Sequence, residues 1–334
     1  MAAFAPETTL SISTVWRDDE LVALTPMLVD DVAMWTPTND HTPMWGLLAV
    51  DAEAGDALVG DMIADRPDRL VIELVDVDEP ATRHVEASLV HRPYRALTDD
   101  ETASPYTDLV GPWEDFEQRL STRRRSQLRR YARRLDDEGK VTVETHDGTE
   151  NLHTLLSEGF AVEAAGWKGE QGTAIGSDAT LRRFYTDIAR WAAAQGYLRL
   201  DFLRLDDRPI AFQYRLVHGG TIWYLKAGYD EAHGRWSPSI RLLTATLRQA
   251  VEDPTTTRFE WLGSTERYKL EWSDDLRTIR STTWYGPTVR GRAAYATHVA
   301  LHKAKGALRV GLPDPAVERL KGIRRRVRDI ASGG

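Results

Sequence analysis

Residues 224–272 read YLKAGYDEAHGRWSPSIRLLTATLRQAVEDPTTTRFEWLGSTERYKLEW and constrain the fold more tightly than any other stretch of the chain. An apolar strand over 221–226 runs into a polar turn that ends in Ser237-Pro238. Serine is a strong helix N-cap, and proline suits the first helical position. Ile240, Leu243, Leu247 and Val251 then recur at helical spacing, which predicts a helix over 238–252 with one face on a sheet. A strand over 258–262 and the pair Tyr268-Lys269 follow. Two readings fit: an ordinary βαβ crossover, or a helix whose N-terminus receives the phosphate of a cofactor.

The flanking sequence extends this pattern. A long helix is expected over 113–137, a strand over 140–146, and helices over 150–165 and 179–194. Strands at 197–205, 209–217 and 221–226 follow, joined by hairpin turns. A short helix near 266–271 and a strand over 278–284 close the series. In the N-terminal third, 44–51, 57–63 and 70–75 read as strands, and the polar segment 98–112 reads as a linker. Near the C-terminus, Val317, Leu320, Ile323, Val327 and Ile330 form an apolar stripe. That stripe predicts a basic helix packed on the body, with membrane contact at most peripheral.

With 334 residues and 42% hydrophobic content, the chain can bury one large core or two moderate ones. It has no cysteine, which excludes disulfides, thiolate metal sites and a cysteine nucleophile. No apolar run approaches the ~18 residues of a membrane span, and the N-terminus lacks a basic-then-apolar leader, so a cytoplasmic protein is expected. His298 and His302 stand four apart without an acid to complete a set, and no metal is expected. Neither a Walker loop nor a Gly-x-Ser-x-Gly elbow is present.

The net charge of −8 conceals an asymmetry: residues 1–110 hold 22 acidic side chains against 6 basic ones, and the remainder is net positive. A basic second half suits CoA, a nucleotide, tRNA or anionic lipid, or else the acidic half of the same chain. Arg119, Arg123, Arg130 and Arg134 fall at steps of four or seven and predict one exposed stripe on a helix.

Four blocks, STRRRSQLRRYARRLDDEG, EAAGWKGEQGTAI, YDEAHGRWSPSIRLL and FEWLGSTERYKLEW, stand in an order and spacing that resemble a known family. It is the group of Gcn5-related (GNAT) acyltransferases that includes the CelD/BcsL, or BioF2-like, proteins and is distantly related to the Fem peptidyltransferases. The resemblance implies an α/β fold of tandem GNAT modules with mixed central sheets. A degenerate module is then expected over 1–112, an active one over 113–290 and a basic helical tail over 291–334. The implied reaction moves an acyl group from a thioester, acyl-CoA or an acyl carrier, to an amine of a sugar or small metabolite. The alternatives are Fem-like use of aminoacyl-tRNA and a non-catalytic accessory role in polysaccharide biosynthesis. No permanently bound cofactor is expected; acyl-CoA or aminoacyl-tRNA is a co-substrate, tRNA is a candidate partner, and DNA is not.

Acyl transfer to an amine requires loss of a proton, donors for the developing oxyanion, and a proton for the leaving group. In this fold the acyl carbonyl is held by the backbone of a splayed fourth strand, here 221–226, so no nucleophilic side chain is needed. Tyr268-Lys269 is similar to an aromatic-Lys pair of the Fem ligases, which implies that Lys269 stabilises negative charge. Glu260, a carboxylate inside a strand, is either a general base or the partner of Lys269 or Arg258. Tyr229 and Asp230 leave the fourth strand toward the reacting groups, and Lys226 ends it. Glu163, Trp167 and Lys168 come from the region that shapes an acceptor pocket. Ser237, Ser239 and Arg241 are expected to hold the donor's anionic part. There Arg235-Trp236-Ser237-Pro238-Ser239-Ile240 replaces the glycine-rich loop of ordinary Gcn5-related acetyltransferases, and Ser239 replaces the glycine of the relatives' Ser-Pro-Gly, which leaves acyl-carrier and aminoacyl-tRNA donors open.

Overall fold

The computed structural model describes residues 8–166 and 175–310, together with Phe4. The apolar stripe of 317–330 and the candidates Trp167 and Lys168 lie outside the described residues. Contacts divide the chain into two compact units, Met1–Ala103 with Arg277–Gly334, and Ser104–Leu276.

The first unit begins with β1 (Thr9–Arg17), β2 (Glu20–Val29), β3 (Ala33–Trp35) and β4 (Leu48–Ala49). Helix α1 (Ala52–Met62), β5 (Arg69–Asp76) and α2 (Pro80–Val90) follow, and β6 (Arg95–Asp108) carries the chain into the second unit. The segment 57–63, expected as a strand, is helical. Asp51 caps α1 by accepting the Ala54 N–H, and Ala54, Leu58, Val59 and Met62 form its buried face. Its short apolar run therefore has helical, not alternating, periodicity. Of 44–51 only Leu48–Ala49 is a strand, paired with β2. The polar segment 98–112 is also not a linker. Most of it belongs to β6, whose first half is largely exposed and so carries charged side chains.

The second unit contains α3 (Trp113–Arg119), α4 (Thr122–Asp136), β7 (Val141–His146), α5 (Leu152–Ala164) and α6 (Ala179–Ala194). Then come β8 (Leu198–Leu205), β9 (Arg208–His218), β10 (Thr221–Tyr229), α7 (Pro238–Glu252), β11 (Arg258–Glu260) and α8 (Arg267–Leu270). Strand β12 (Asp275–Tyr285) returns the chain to the first unit, where α9 (Val289–Val310) follows. In the first unit β1 and β3 flank β2, β3 runs parallel to β5, and β12 adds antiparallel to β5. In the second the order is β6-β11-β10-β9-β8-β7, antiparallel except for the β10–β11 pair.

The long helix expected over 113–137 is broken. Leu120 adopts an extended backbone, and Ser121 starts α4 by accepting the Arg124 N–H at 3.1 Å. Arg119, Arg123, Arg130 and Arg134 are all exposed, but Arg119 belongs to α3, so only the other three share a helix.

Side-chain alternation sends the second sheet's two faces to different helices. Phe202, Phe212 and Tyr214 enter a cluster with Leu156 and Phe160 of α5 and Tyr185 and Ala189 of α6. On the opposite face, Ile222, Tyr224, Phe259 and Trp261 pack with α3, α4 and α7 through Phe116, Leu128, Leu243 and Leu247. Asp201 and Arg215 form a buried, twofold hydrogen-bonded ion pair at 2.6 Å, and Thr145 donates to the same carboxylate at 2.8 Å.

Candidate active site at the fork of two parallel strands

The parallel strands β10 and β11 pair over a short distance, Thr221↔Arg258, Ile222↔Phe259 and Trp223↔Glu260. Strand β11 then ends, while β10 continues to Tyr229 against β9 with a bulge between Tyr224 and Lys226. The extra residue, Leu225, bends and twists β10 just beyond Trp223, where its pairing with β11 stops. On the other side the chain leaves β11 through left-handed conformations at Leu262 (φ 58°) and Gly263 (φ 64°). The result is a fork with its open end at the C-termini of both strands.

Helix α5 closes on this fork. A Cβ at Gly228 would lie 2.6 Å from the Cα of Glu163, so only glycine permits the approach. Glu163 itself is 1% exposed and its carboxylate accepts the Ile175 N–H at 2.8 Å. Burial, followed by the neighbouring Glu163 carboxylate, pushes the Tyr185 phenol far above its ordinary pKa. The Lys226 ammonium lies 5.5 Å from the centre of the Tyr185 ring. Glu163 and Lys226, both expected from sequence, thus share Tyr185 as a neighbour.

The remaining candidates have other occupations. Lys269 is 5% exposed, and its ammonium reaches the carbonyls of Leu262 at 2.5 Å and Ser264 at 3.2 Å and the Glu266 carboxylate at 2.6 Å. These partners match the three donors of an ammonium and tie down the left-handed loop after β11. Tyr268 is partly exposed, and its phenol is pushed up by burial and by Glu266. Glu260 is 2% exposed. Burial opposes the charge of Arg258, but its ion pair with Asp108 and the charge of Glu260 raise its pKa, so Glu260 faces Arg258 electrostatically. Asp230 caps the 3₁₀ turn Glu231–Trp236 through the Ala232 N–H and pairs with Arg208 at 2.8 Å. Tyr229 packs beside the cluster of Leu135, Trp236 and Leu242.

The start of α7 differs from an open phosphate cradle. Pro238 has no N–H, and Ile240 and Arg241 both donate theirs to the Ser237 carbonyl at 3.1 Å. Ser237 is left-handed (φ 53°), and Ser239 follows the proline in the first turn. Tyr131 of α4 stands against this corner, accepting from the Gln127 amide at 2.6 Å. Burial would raise its phenol pKa, yet hydrogen bonds from Ser237 and Gln127 and the charges of Arg130 and Arg124 lower it overall. The Arg241 Nε is buried with no acceptor among the described residues. Sequence reasoning missed Arg124, Gln127 and Tyr131, whose i, i+3, i+7 spacing puts them on one side of α4, and also Tyr185 and Trp272.

A cleft of roughly 410 Å³ lies elsewhere, lined by His146, Asp147, Thr149, Glu150 and Arg199 among others, and none of the candidates borders it. Among the described residues no group of three or more His, Cys, Asp or Glu is placed to hold a metal, and no helix is long and apolar enough to cross a membrane.

Residues 122–270 match the family described as Acetyltransferase (GNAT) domain. No curated protein matches the chain. In fold it is similar to FemX, with TM-score 0.56 and 13% identity over 87% of this chain and 90% of that one. The C-terminal domain of a putative lysylphosphatidylglycerol synthetase from Agrobacterium fabrum gives TM-score 0.56 and 13% identity over 88% of both chains. L-PGS from Bacillus licheniformis gives TM-score 0.54 and 12% identity over 84% of this chain and 85% of that one. The protein is a mixed α/β acyltransferase with a GNAT domain.

Proposed function

We propose that the protein is an N-acyltransferase of the CelD/BcsL type, moving an acyl group from a thioester to an amine of a sugar or small metabolite in the cytoplasm. The observation that supports this reading is the bulged fork of β10 and β11, held against α5 at Gly228. The acyl carbonyl enters the fork, where the β10 backbone polarises it. The amine attacks, the C–N bond forms as the C–S bond breaks, and the amine's proton leaves for a base while the thiolate takes one up. Glu163, Tyr185 and Lys226 supply the polar wall on the acceptor side, with Glu260 on β11.

Gly228→Ala tests the reading, because the new Cβ must push α5 away from β10. A displacement near 1 Å at reacting groups costs on the order of 100-fold, so kcat/KM is expected to fall by at least that factor. The fold should survive, since overpacking costs roughly 1–3 kcal/mol. A variant with wild-type kcat/KM would remove the fork from the mechanism.

A second reading, with aminoacyl-tRNA as donor, is favoured by two features. The start of α7 offers little of the amide cradle that holds a pyrophosphate, and Arg123, Arg130 and Arg134 of α4 are exposed. Steep weakening of tRNA binding between low and moderate salt would support it, and salt-independent or undetectable binding would dismiss it.

A further inference from the structure

Arg124 is 8% exposed, yet its guanidinium is only half engaged. Its Nη1 meets the Glu271 carboxylate at 2.9 Å and the Gln127 amide oxygen at 3.4 Å. Nε and Nη2 are buried and have no acceptor among the described residues. Those two nitrogens form the side-on edge of the fork, whose parallel N–H bonds match two oxygens of a phosphate or carboxylate. The guanidinium carbon stands 5.2 Å from the centre of the Trp272 ring, and the Trp272 Nε1 is likewise buried without an acceptor among the described residues. Three unmet donors therefore lie on two side chains in contact beside α4. Burial lowers the Arg124 pKa even with Glu271 and Tyr131 opposing, so the charge is under-compensated. Buried donors left unmet are costly, more so when charged, and an arriving anion recovers that cost.

We propose that Arg124 and Trp272 form an anion site that takes a phosphate group of the acyl donor, in place of the amide cradle that the start of α7 lacks. The choice of phosphate rests on the acyl-transfer reading, because both donors considered above, CoA and tRNA, carry phosphates. Gln127 links the site to Tyr131 and so to Ser237, along the α4 face that leads to α7. Glu271 competes for the same guanidinium.

The test titrates the full chain with inorganic pyrophosphate by calorimetry, then with CoA and with an RNA minihelix ending in CCA. Arg124→Lys keeps the charge and loses the side-on edge; it should raise the pyrophosphate Kd by roughly 10- to 100-fold, as for hydrogen bonds to a charged group. Trp272→Phe keeps a six-membered aromatic ring and loses the pyrrole ring with its N–H, and should raise it by about 2- to 10-fold. Glu271→Gln should tighten binding. A parallel loss for CoA assigns the site to a thioester donor, and a loss for the minihelix assigns it to RNA. No pyrophosphate binding by the wild type, or wild-type binding in both Arg124→Lys and Trp272→Phe, overturns the site. Failure of the acyl-transfer reading is distinguishable: no amide would form with any donor, while pyrophosphate binding still depended on Arg124.

Discussion

Asp201→Ala is expected to destabilise the protein by about 3–5 kcal/mol, the cost of leaving one member of a buried ion pair without its partner. Arg215 would lose both 2.6 Å hydrogen bonds inside the sheet, at a position 4% exposed, and Thr145 would lose its acceptor. The paired replacement Asp201→Leu with Arg215→Met should recover most of that loss, because it removes both charges from the interior. Urea unfolding of the two variants beside the wild type makes the comparison. Equal stability of Asp201→Ala and wild type would mean that solvent reaches the pair.

Lys269→Met is expected to cost roughly 3 kcal/mol, since charge-assisted hydrogen bonds contribute about 1.5–3 kcal/mol each and the retained stem keeps part of the packing. The carbonyls of Leu262 and Ser264 would lose their donor, and the loop leaving β11 would lose its tie. A lysine acting directly on the oxyanion gives a different pattern: kcat falls by roughly 10²–10³ with stability nearly unchanged. The geometry favours the first pattern, with Lys269 as a positioning residue. Measuring kcat and the urea midpoint on the same preparation separates the two. A large drop in kcat at unaltered midpoint would return Lys269 to the chemistry.

The sequence showed the second unit from β7 to β11 clearly, because each helix there has one apolar face and each strand alternates or is buried throughout. The first unit was less legible. Its α1 has a short apolar run that mimics a strand, with the Asp51 cap as the overlooked signal. Strand β6 looked like a linker because an exposed strand end tolerates Asp and Glu. The break between α3 and α4 was also signalled, by Ser121 at a position that caps the next helix. At the site, Glu163 stood in a block that the family resemblance places at the acceptor pocket, and Lys226 at the end of an apolar strand. Arg124 was hidden among eight arginines, since no periodicity distinguishes a buried guanidinium from a solvated one before the packing of α4 is known. Asp230 was misleading for a physical reason: a carboxylate just after a strand serves equally as a cap, which is the work it does here.

Hydrogen–deuterium exchange tests the central claim, that acyl transfer occurs at the fork, most directly. The full chain would be compared alone, with a non-hydrolysable acyl-CoA analogue, and with a non-hydrolysable aminoacyl-RNA minihelix. The account predicts that one of the two ligands slows exchange in the peptides covering 224–230 and 258–266. Absence of protection there with both ligands, or protection by either confined to the first unit, would contradict it.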